Sequence, residues 1–452
     1  MHVFGSSGVR GVAGEELTPQ DAMQVAQAAG SVWATDTDRV AVARDTRTTG
    51  RTYGNAATAG LTGLGFDVDR LGIVPTPALQ AYCEREGVPG LMVTASHNPP
   101  AYNGIKLVGR AGVELSRATL DEVERALAEE PVHASWDRMG TDRRVESVRR
   151  AYRRDVAEAV DRERIADADL TVVVDPGHGA GALVSPELFR ELGCTVHTVN
   201  AQPDGHFPGR NPEPVAATLE DLRSYVAATD ADVGIAHDGD GDRAMFVDEH
   251  GNHIDGSAMF AALAAAQLGA GDGVVSAVNV SQRLVDVVED AGASLSLTPI
   301  GSTYIVSRIR EQQDAGTNVA IAGEGNGGIL FPDYRIARDG AYTAARFCEL
   351  LADRPASELV APYDDYYNVR RNLHVDDETD RESMLAGIES HATESAADLD
   401  TTDGWRLDYG DGWVLARPSG TEPVVRVYAE ARTPERAEEL AGHMVGAAER
   451  GG

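Results

Sequence analysis

The sequence predicts an α/β protein: three tandem α/β units followed by a smaller α+β domain. First, β-branched runs that end in a polar turn and lead into a helical pattern recur at Arg39 (RVAVARDTRTTG), Leu170 (LTVVVDPGHGAGA) and Gly273 (GVVSAVNVSQRL). A short run of this kind, closed by Gly, Asp or Ser, reads as a buried strand feeding a helix. Second, the pattern changes in kind towards the carboxyl end, where NVRRNLHV, an acidic helical stretch, WRLDYGDGWVLARPSG and VVRVYAEA precede a closing helix. Thr433 suits the N-cap of that helix and Pro434 its first position. Third, 452 residues suffice for three or four domains at roughly 100 to 200 residues each.

The junctions fall where charge or proline breaks the pattern. DRMGTDRRVESVRRAYRRDVAEAV reads as a charged helical stretch at the first, the glycine-aspartate loop precedes the second, and LADRPASELVAPYDDYY marks the third. The expected domains are 1–145, 146–250, 251–362 and 363–452.

Composition narrows the function. Hydrophobic residues are 42% and charged residues 25% of the chain, the balance of a folded globular protein. A formal charge of -32 repels nucleic acid and anionic membrane, so neither is an expected partner. The 40 basic residues are 39 arginines and one lysine, Lys106. Such a surface suits high salt, where self-repulsion is screened; an arginine-favouring coding bias explains the same letters. Cys83, Cys194 and Cys348 are odd in number and far apart, which fits a reducing cytoplasm and no disulfide framework. No signal pattern opens the sequence, and the apolar stretch MFAALAAAQLGAG from Met259 reads as a buried helix.

Five loops carry candidate chemistry. GLMVTA from Gly90 and GIKLV from Gly104 are strands of a hairpin, which puts Ser96 and His97 at its tip. A serine there is expected to be accessible, as a nucleophile, a phosphorylated residue or a turn former. Lys106 follows ten positions later; a compact ammonium exchanges a proton where guanidinium does not. HDGDGDRAMFVDEHG from His237 alternates Asp238, Asp240 and Asp242 with glycines, so three carboxylates converge on one hard cation. A calcium EF-hand is the rival reading. Arg243 stands where that loop needs glycine, however, and the flanks read as strands, which favours magnesium. ARPSGTEP from Ala416 offers Arg417, Ser419, Gly420 and Thr421 to a phosphate, or forms a plain turn. AGEGNGGILF from Ala322 places Glu324 and Asn326 in a glycine loop suited to vicinal hydroxyls, and FGSSGVRG from Phe4 offers Arg10 to an anion.

Together and in this order, TASHNP, DGDGDR, RPSGTEP, the GEGNGG loop and DGHFPGRNPEP from Asp204 resemble the α-D-phosphohexomutase superfamily across the whole chain. The resemblance implies four domains around a central cleft, three with mixed sheets and the last α+β. It implies that Ser96 carries a phosphoryl group and that Mg2+ is held by Asp238, Asp240, Asp242 and an oxygen on Ser96. Arg243 then supports the centre, Lys106 and Arg10 stand near the proton in flight, and His97 orients the loop. The reaction is a 1,6-phosphoryl shift on a hexose or hexosamine phosphate through a hexose 1,6-bisphosphate, which also serves as activator. Arg243, Glu324, Asn326, Arg417, Ser419, Gly420 and Thr421 hold the substrate. Many bacterial members have Ser and His where this chain has Asn326 and Gly328. The loop is closer to archaeal members, halophiles included, and favours glucosamine phosphate over mannose or glucose phosphate. A cytoplasmic monomer or homodimer is expected; a metal-dependent sugar phosphatase is the more remote alternative.

Overall fold

The computed structural model describes residues 8–419 and 424–451. Each β-branched run forms a buried strand, because residues stiff at χ1 pack well on a pleated surface. The first sheet comprises β1 (Val9–Val12), β2 (Arg39–Arg44), β3 (Asp67–Ile73), β4 (Gly90–Val93), β5 (Tyr102–Val108) and β6 (Asp142–Arg144), in spatial order β1-β5-β4-β2-β3-β6. β4, β2, β3 and β6 run parallel, whereas β5 turns back on β4 with Met92 opposite Lys106, as the predicted hairpin requires. The second sheet orders β7 (Thr171–Asp175), β8 (Thr195–Thr198), β9 (Val233–His237) and β10 (Ala244–Asp248) as β10-β9-β7-β8. The third holds β11 (Gly273–Ala277), β12 (Ser294–Thr298), β13 (Val319–Glu324), β14 (Gly328–Phe331) and β15 (Arg335–Arg338), ordered β12-β11-β13-β14-β15. All three mix parallel and antiparallel pairs.

The fourth sheet is antiparallel throughout: β16 (Tyr367–His374), β17 (Asp398–Asp400), β18 (Trp405–Asp408), β19 (Gly412–Pro418) and β20 (Val424–Ala431), in order β16-β20-β19-β18-β17. The helix Pro434–Gly451 covers it, and Thr433 Oγ1 accepts from Arg436 N at 3.3 Å. This is the cap the sequence predicts.

One apolar core runs through the first three units. It joins Leu79 and Tyr152 to Val172, Phe246 and Phe347, with the last two rings stacked at 4.1 Å. The helix Gly256–Gln267 is largely apolar, and its Met259, Phe260, Ala261, Leu263 and Ala264 lie in this core. Since these units share buried surface, their loops are held in fixed relation to one another. The fourth unit has its own core and docks through a small apolar cluster of Val278, Trp413 and Leu415 together with buried polar contacts. Glu430, fully buried, accepts from Gln282 N at 2.6 Å and Trp413 Nε1 at 3.1 Å, and pairs with Arg283 at 3.3 Å.

The charged stretch at the first junction is not one helix. Asp142–Arg144 form β6 beside β3, and the helix begins at Val148. Asp67 Oδ1 accepts from both the N–H and the hydroxyl of Thr141 at 2.8 Å, and a Cβ on Gly140 would lie 1.9 Å from Phe66 O. Local hydrogen bonds and close backbone contact thus override a helical charge pattern. Among the described residues no helix is long and apolar enough to cross a membrane.

Candidate active site

Ser96 stands at the end of β4 with φ +50°, a left-handed conformation that costs a non-glycine residue on the order of 1–3 kcal/mol. Arg47 holds it there. Its guanidinium, fully buried, donates to the carbonyls of Ser96 (3.0 Å), Asn98 (2.6 Å), Pro99 (2.6 Å) and Tyr102 (2.8 Å), and pairs with Asp45 at 3.1 Å. Thr94 Oγ1 accepts from Ser96 N at 2.8 Å and donates to Asp45 at 2.6 Å. Replacing Arg47 by Met strands four carbonyls and a buried carboxylate, so a loss of about 3–5 kcal/mol is expected. Thermal unfolding of R47M against the parent measures it.

The serine is not accessible, contrary to the sequence expectation. It is 1% exposed, and its Oγ donates to Asp238 Oδ2 at 2.7 Å. The cover is the glycine-aspartate loop between β9 and β10, strands that confirm the flanks read from sequence and leave no EF-hand helices. A Cβ on Gly239 would lie 2.6 Å from Ser96 O, so the loop's approach to the serine depends on glycine. Arg210, from the DGHFPGRNPEP segment, braces the loop's base by donating to His237 O at 2.7 Å and pairing with Asp175 at 2.9 Å.

Asp238, Asp240 and Asp242 are buried, with one oxygen of each within 4.8 Å of the others. Lys106 Nζ lies 2.7 Å from Asp240 and 2.9 Å from Asp242. Thr76 Oγ1 donates to Asp240 at 2.5 Å and Arg338 Nη2 to Asp242 at 2.8 Å. These contacts use only Oδ2; Asp240 Oδ1 and Asp242 Oδ1 are buried without a hydrogen-bond partner. Buried carboxylate oxygens left over in an all-oxygen cluster fit a hard divalent cation. Burial, then the charges of Asp242 and Asp240, pushes Asp238 above the usual carboxylate range. Burial works against the charge on Asp240, but Lys106 beside it brings its carboxyl below that range. Lys106 is raised in turn: its burial is outweighed by Asp240 and Asp242, so it stands as an ammonium.

Other predicted residues surround this cluster. Arg243 donates its N–H to Asp238 at 3.3 Å, and its Nε lies 3.9 Å from the same carboxylate. Arg10, on β1 opposite Gly104, donates to Asn98 at 2.8 Å. His97 Nδ1 lies 3.4 Å from Ser96 Oγ. The charge of Arg243, then burial and Arg10, holds its imidazole far below the usual histidine range. Glu324 ends β13, and Asn326 accepts from Gly328 N at 3.1 Å. That loop bonds to β10 through Ala244 N and Gly327 O at 3.0 Å.

Arg417 lies apart from the cluster in its contacts: it is the penultimate residue of β19 and pairs with Asp403 at 3.0 Å, which also accepts from Ile300 N. Ser419 N donates to Val424 O at 2.9 Å. Gly420 and Thr421 lie outside the described residues.

Sequence reasoning missed Arg47, Thr76 and Arg338. Each is a common residue type in this chain, and nothing local marks it; only the RDTRTTG turn after β2 points to Arg47. Arg338 also gives Gly328 a physical reason, because a Cβ at 328 would lie 2.7 Å from Arg338 Cδ. An arginine occupies the space a side chain at 328 would need.

Four family models match the chain in succession: phosphoglucomutase/phosphomannomutase α/β/α domain I over residues 1–133, domain II over 150–251, domain III over 250–366 and the C-terminal domain over 372–447. The chain is 41% identical to the "Phosphoglucomutase/phosphomannomutase" of Thermococcus kodakarensis, covering 97% of this chain and 96% of that one. It is also 41% identical to the "Probable phosphoglucosamine mutase" of Methanopyrus kandleri, covering 98% and 96% respectively. A crystal structure of a phosphoglucomutase/phosphomannomutase family protein from Burkholderia thailandensis superposes with a TM-score of 0.86 at 27% identity, over 100% of this chain and 97% of that one.

Proposed function

The chain belongs to the phosphoglucomutase/phosphomannomutase family, and we propose that it is a phosphohexomutase interconverting glucosamine-6-phosphate and glucosamine-1-phosphate. The observation that carries the site assignment is Ser96 Oγ, held 2.7 Å from a carboxylate of the buried triad. In this reading phospho-Ser96 faces a free sugar hydroxyl. The phosphorus-to-serine oxygen bond breaks as a bond from phosphorus to the hydroxyl oxygen forms. The hydroxyl proton leaves and Ser96 Oγ gains one, giving a hexose 1,6-bisphosphate. That intermediate reorients, and its other phosphate returns to Ser96 by the same exchange.

Asp238, Asp240, Asp242 and an oxygen on Ser96 are the residues suited to hold Mg2+. When bound it supplies positive charge to the phosphoryl oxygens. The chain's own cations do the rest. Lys106 is the proton carrier, Arg10 and Arg243 neutralise the phosphoryl group in flight, and Arg338 holds Asp242 in place. His97 orients the serine loop. Glu324 and Asn326 take the sugar hydroxyls, while Arg417, Ser419, Gly420 and Thr421 hold the phosphate that is not reacting. The working domain limits are 145, 250 and 362.

Three buried free cysteines support a reducing, cytoplasmic setting, and the -32 charge supports operation in high salt as a monomer or homodimer. Identity to the Thermococcus relative favours a second reading, mannose or glucose phosphate as substrate. Turnover of the three hexose 1-phosphates by one purified sample decides: the highest kcat/KM is expected for glucosamine-1-phosphate. Release of inorganic phosphate from all three would mean a hydrolase.

A further inference from the structure

A second cationic feature lies away from the aspartate triad. A cavity of about 660 Å3 opens at the carboxyl ends of β2, β3 and β6, where they meet the helix Val148–Glu158. Five arginines line it: Arg44, Arg51, Arg70, Arg144 and Arg149. Glu146 is the one carboxylate in its wall. In a chain with 72 carboxylates against 40 basic residues, such a concentration is against the trend. Arg70 pairs with Asp142 at 3.3 Å, and Arg44 donates to the backbone of Asp45. Among the described residues no carboxylate lies within 4.0 Å of the guanidinium of Arg51, Arg144 or Arg149.

The backbone adds to the same field. The helices Gly50–Gly63 and Val148–Glu158 both begin at the cavity, with Arg51 and Arg149 in their first turns. Neither N-cap, Thr49 or Ser147, makes a side-chain capping bond, and neither first turn holds an acidic residue. Two helix N-termini lacking the usual anionic complement present partial positive charge to the same space. Burial, followed by the opposing pull of Asp45 and the like charges of Arg51 and Arg70, leaves Arg44 lowered from the ordinary arginine range. The floor is apolar, formed by Val42, Leu71, Val74 and Leu183. Crevices beyond the carboxyl ends of parallel strands are where open α/β sheets bind ligands, and this volume suits a small organic molecule.

We propose that this cavity is a second, non-catalytic binding site for a phosphorylated organic anion, the arginines and helix ends taking the phosphates and the apolar floor the organic part. No residue assigned to phosphoryl transfer lines it. The cavity connects to the catalytic cluster at two points: Val74 leads by chain continuity to Thr76, whose hydroxyl meets Asp240, and Arg44 leads to Asp45, which pairs with Arg47.

Calorimetric titration of the full chain at one fixed ionic strength tests this, with ADP as the organic probe and inorganic pyrophosphate as the bare anion. ADP is expected to bind one site, more tightly than pyrophosphate, and, in a turnover assay, to leave the apparent KM for the hexose phosphate unchanged, because it does not occupy the catalytic cleft. The double variant Arg51→Glu/Arg149→Glu, at two exposed positions, is expected to weaken ADP by at least about tenfold, while Arg417→Ala leaves it unchanged. The proposal fails if ADP does not bind in the millimolar range, binds no better than pyrophosphate, or inhibits turnover competitively with the hexose phosphate. Should the double variant not fold, the pattern of ADP inhibition on the parent enzyme still decides.

Discussion

Ser96→Ala is expected to lower mutase turnover by about four to six orders of magnitude, the scale on which removal of an obligatory nucleophile acts, with the fold intact. The side chain makes one strong contact, Oγ to Asp238 at 2.7 Å, whereas the loop is held by Arg47 through carbonyls that alanine retains. Alanine is a poor fit at φ +50°, but so is serine, and the change in backbone cost is small. Circular dichroism and thermal unfolding of S96A check the fold. A coupled assay checks turnover, and intact mass after incubation with glucose 1,6-bisphosphate should show a phosphate adduct on the parent only.

Chelation of divalent cations has the second-largest expected effect. Three carboxylates converge within 4.8 Å, and Lys106 and Arg338 satisfy only part of their oxygens. A divalent ion relieves the mutual repulsion and completes the unpaired oxygens, so turnover should fall at least about a thousandfold in EDTA. Added Mg2+ should restore it, and Ca2+ less well, because the cluster supplies few protein oxygens. Stability provides a readout independent of activity. An ion at a hundred times its Kd stabilises the folded chain by about 2.7 kcal/mol, so Mg2+ should raise the unfolding temperature of the parent. Asp242→Asn should blunt that rise.

Much of this site was legible because its chemistry is packed into short loops. The DGDGDR run brings three carboxylates together through local backbone geometry, and the single lysine stood out because every other basic residue is arginine. Lys106 indeed bridges Asp240 and Asp242. What sequence could not supply was the pairing between loops. Ser96 is buried by a residue 142 positions away, Arg338 reaches Asp242 across 96 positions, and Thr76 reaches Asp240 across 164. An arginine on a strand is one of 39 until tertiary packing selects it. The strand Asp142–Arg144 was hidden for a related reason: its charged residues carry no alternation, and it is fixed by its ladder with β3 and by side-chain bonds from Asp67 and Asp69, partners 74 positions away.

The central claim, that the phosphoryl group passes between Ser96 and the sugar and never to water, is tested most directly by one transfer experiment. Enzyme carrying a radiolabelled phosphate at Ser96 is mixed with excess glucosamine-6-phosphate and Mg2+, quenched within the first turnover, and its label located. The account predicts that label leaves the protein and appears in glucosamine 1,6-bisphosphate, one equivalent for each equivalent lost. Label released as inorganic phosphate, or retained on the protein while product forms, would contradict it.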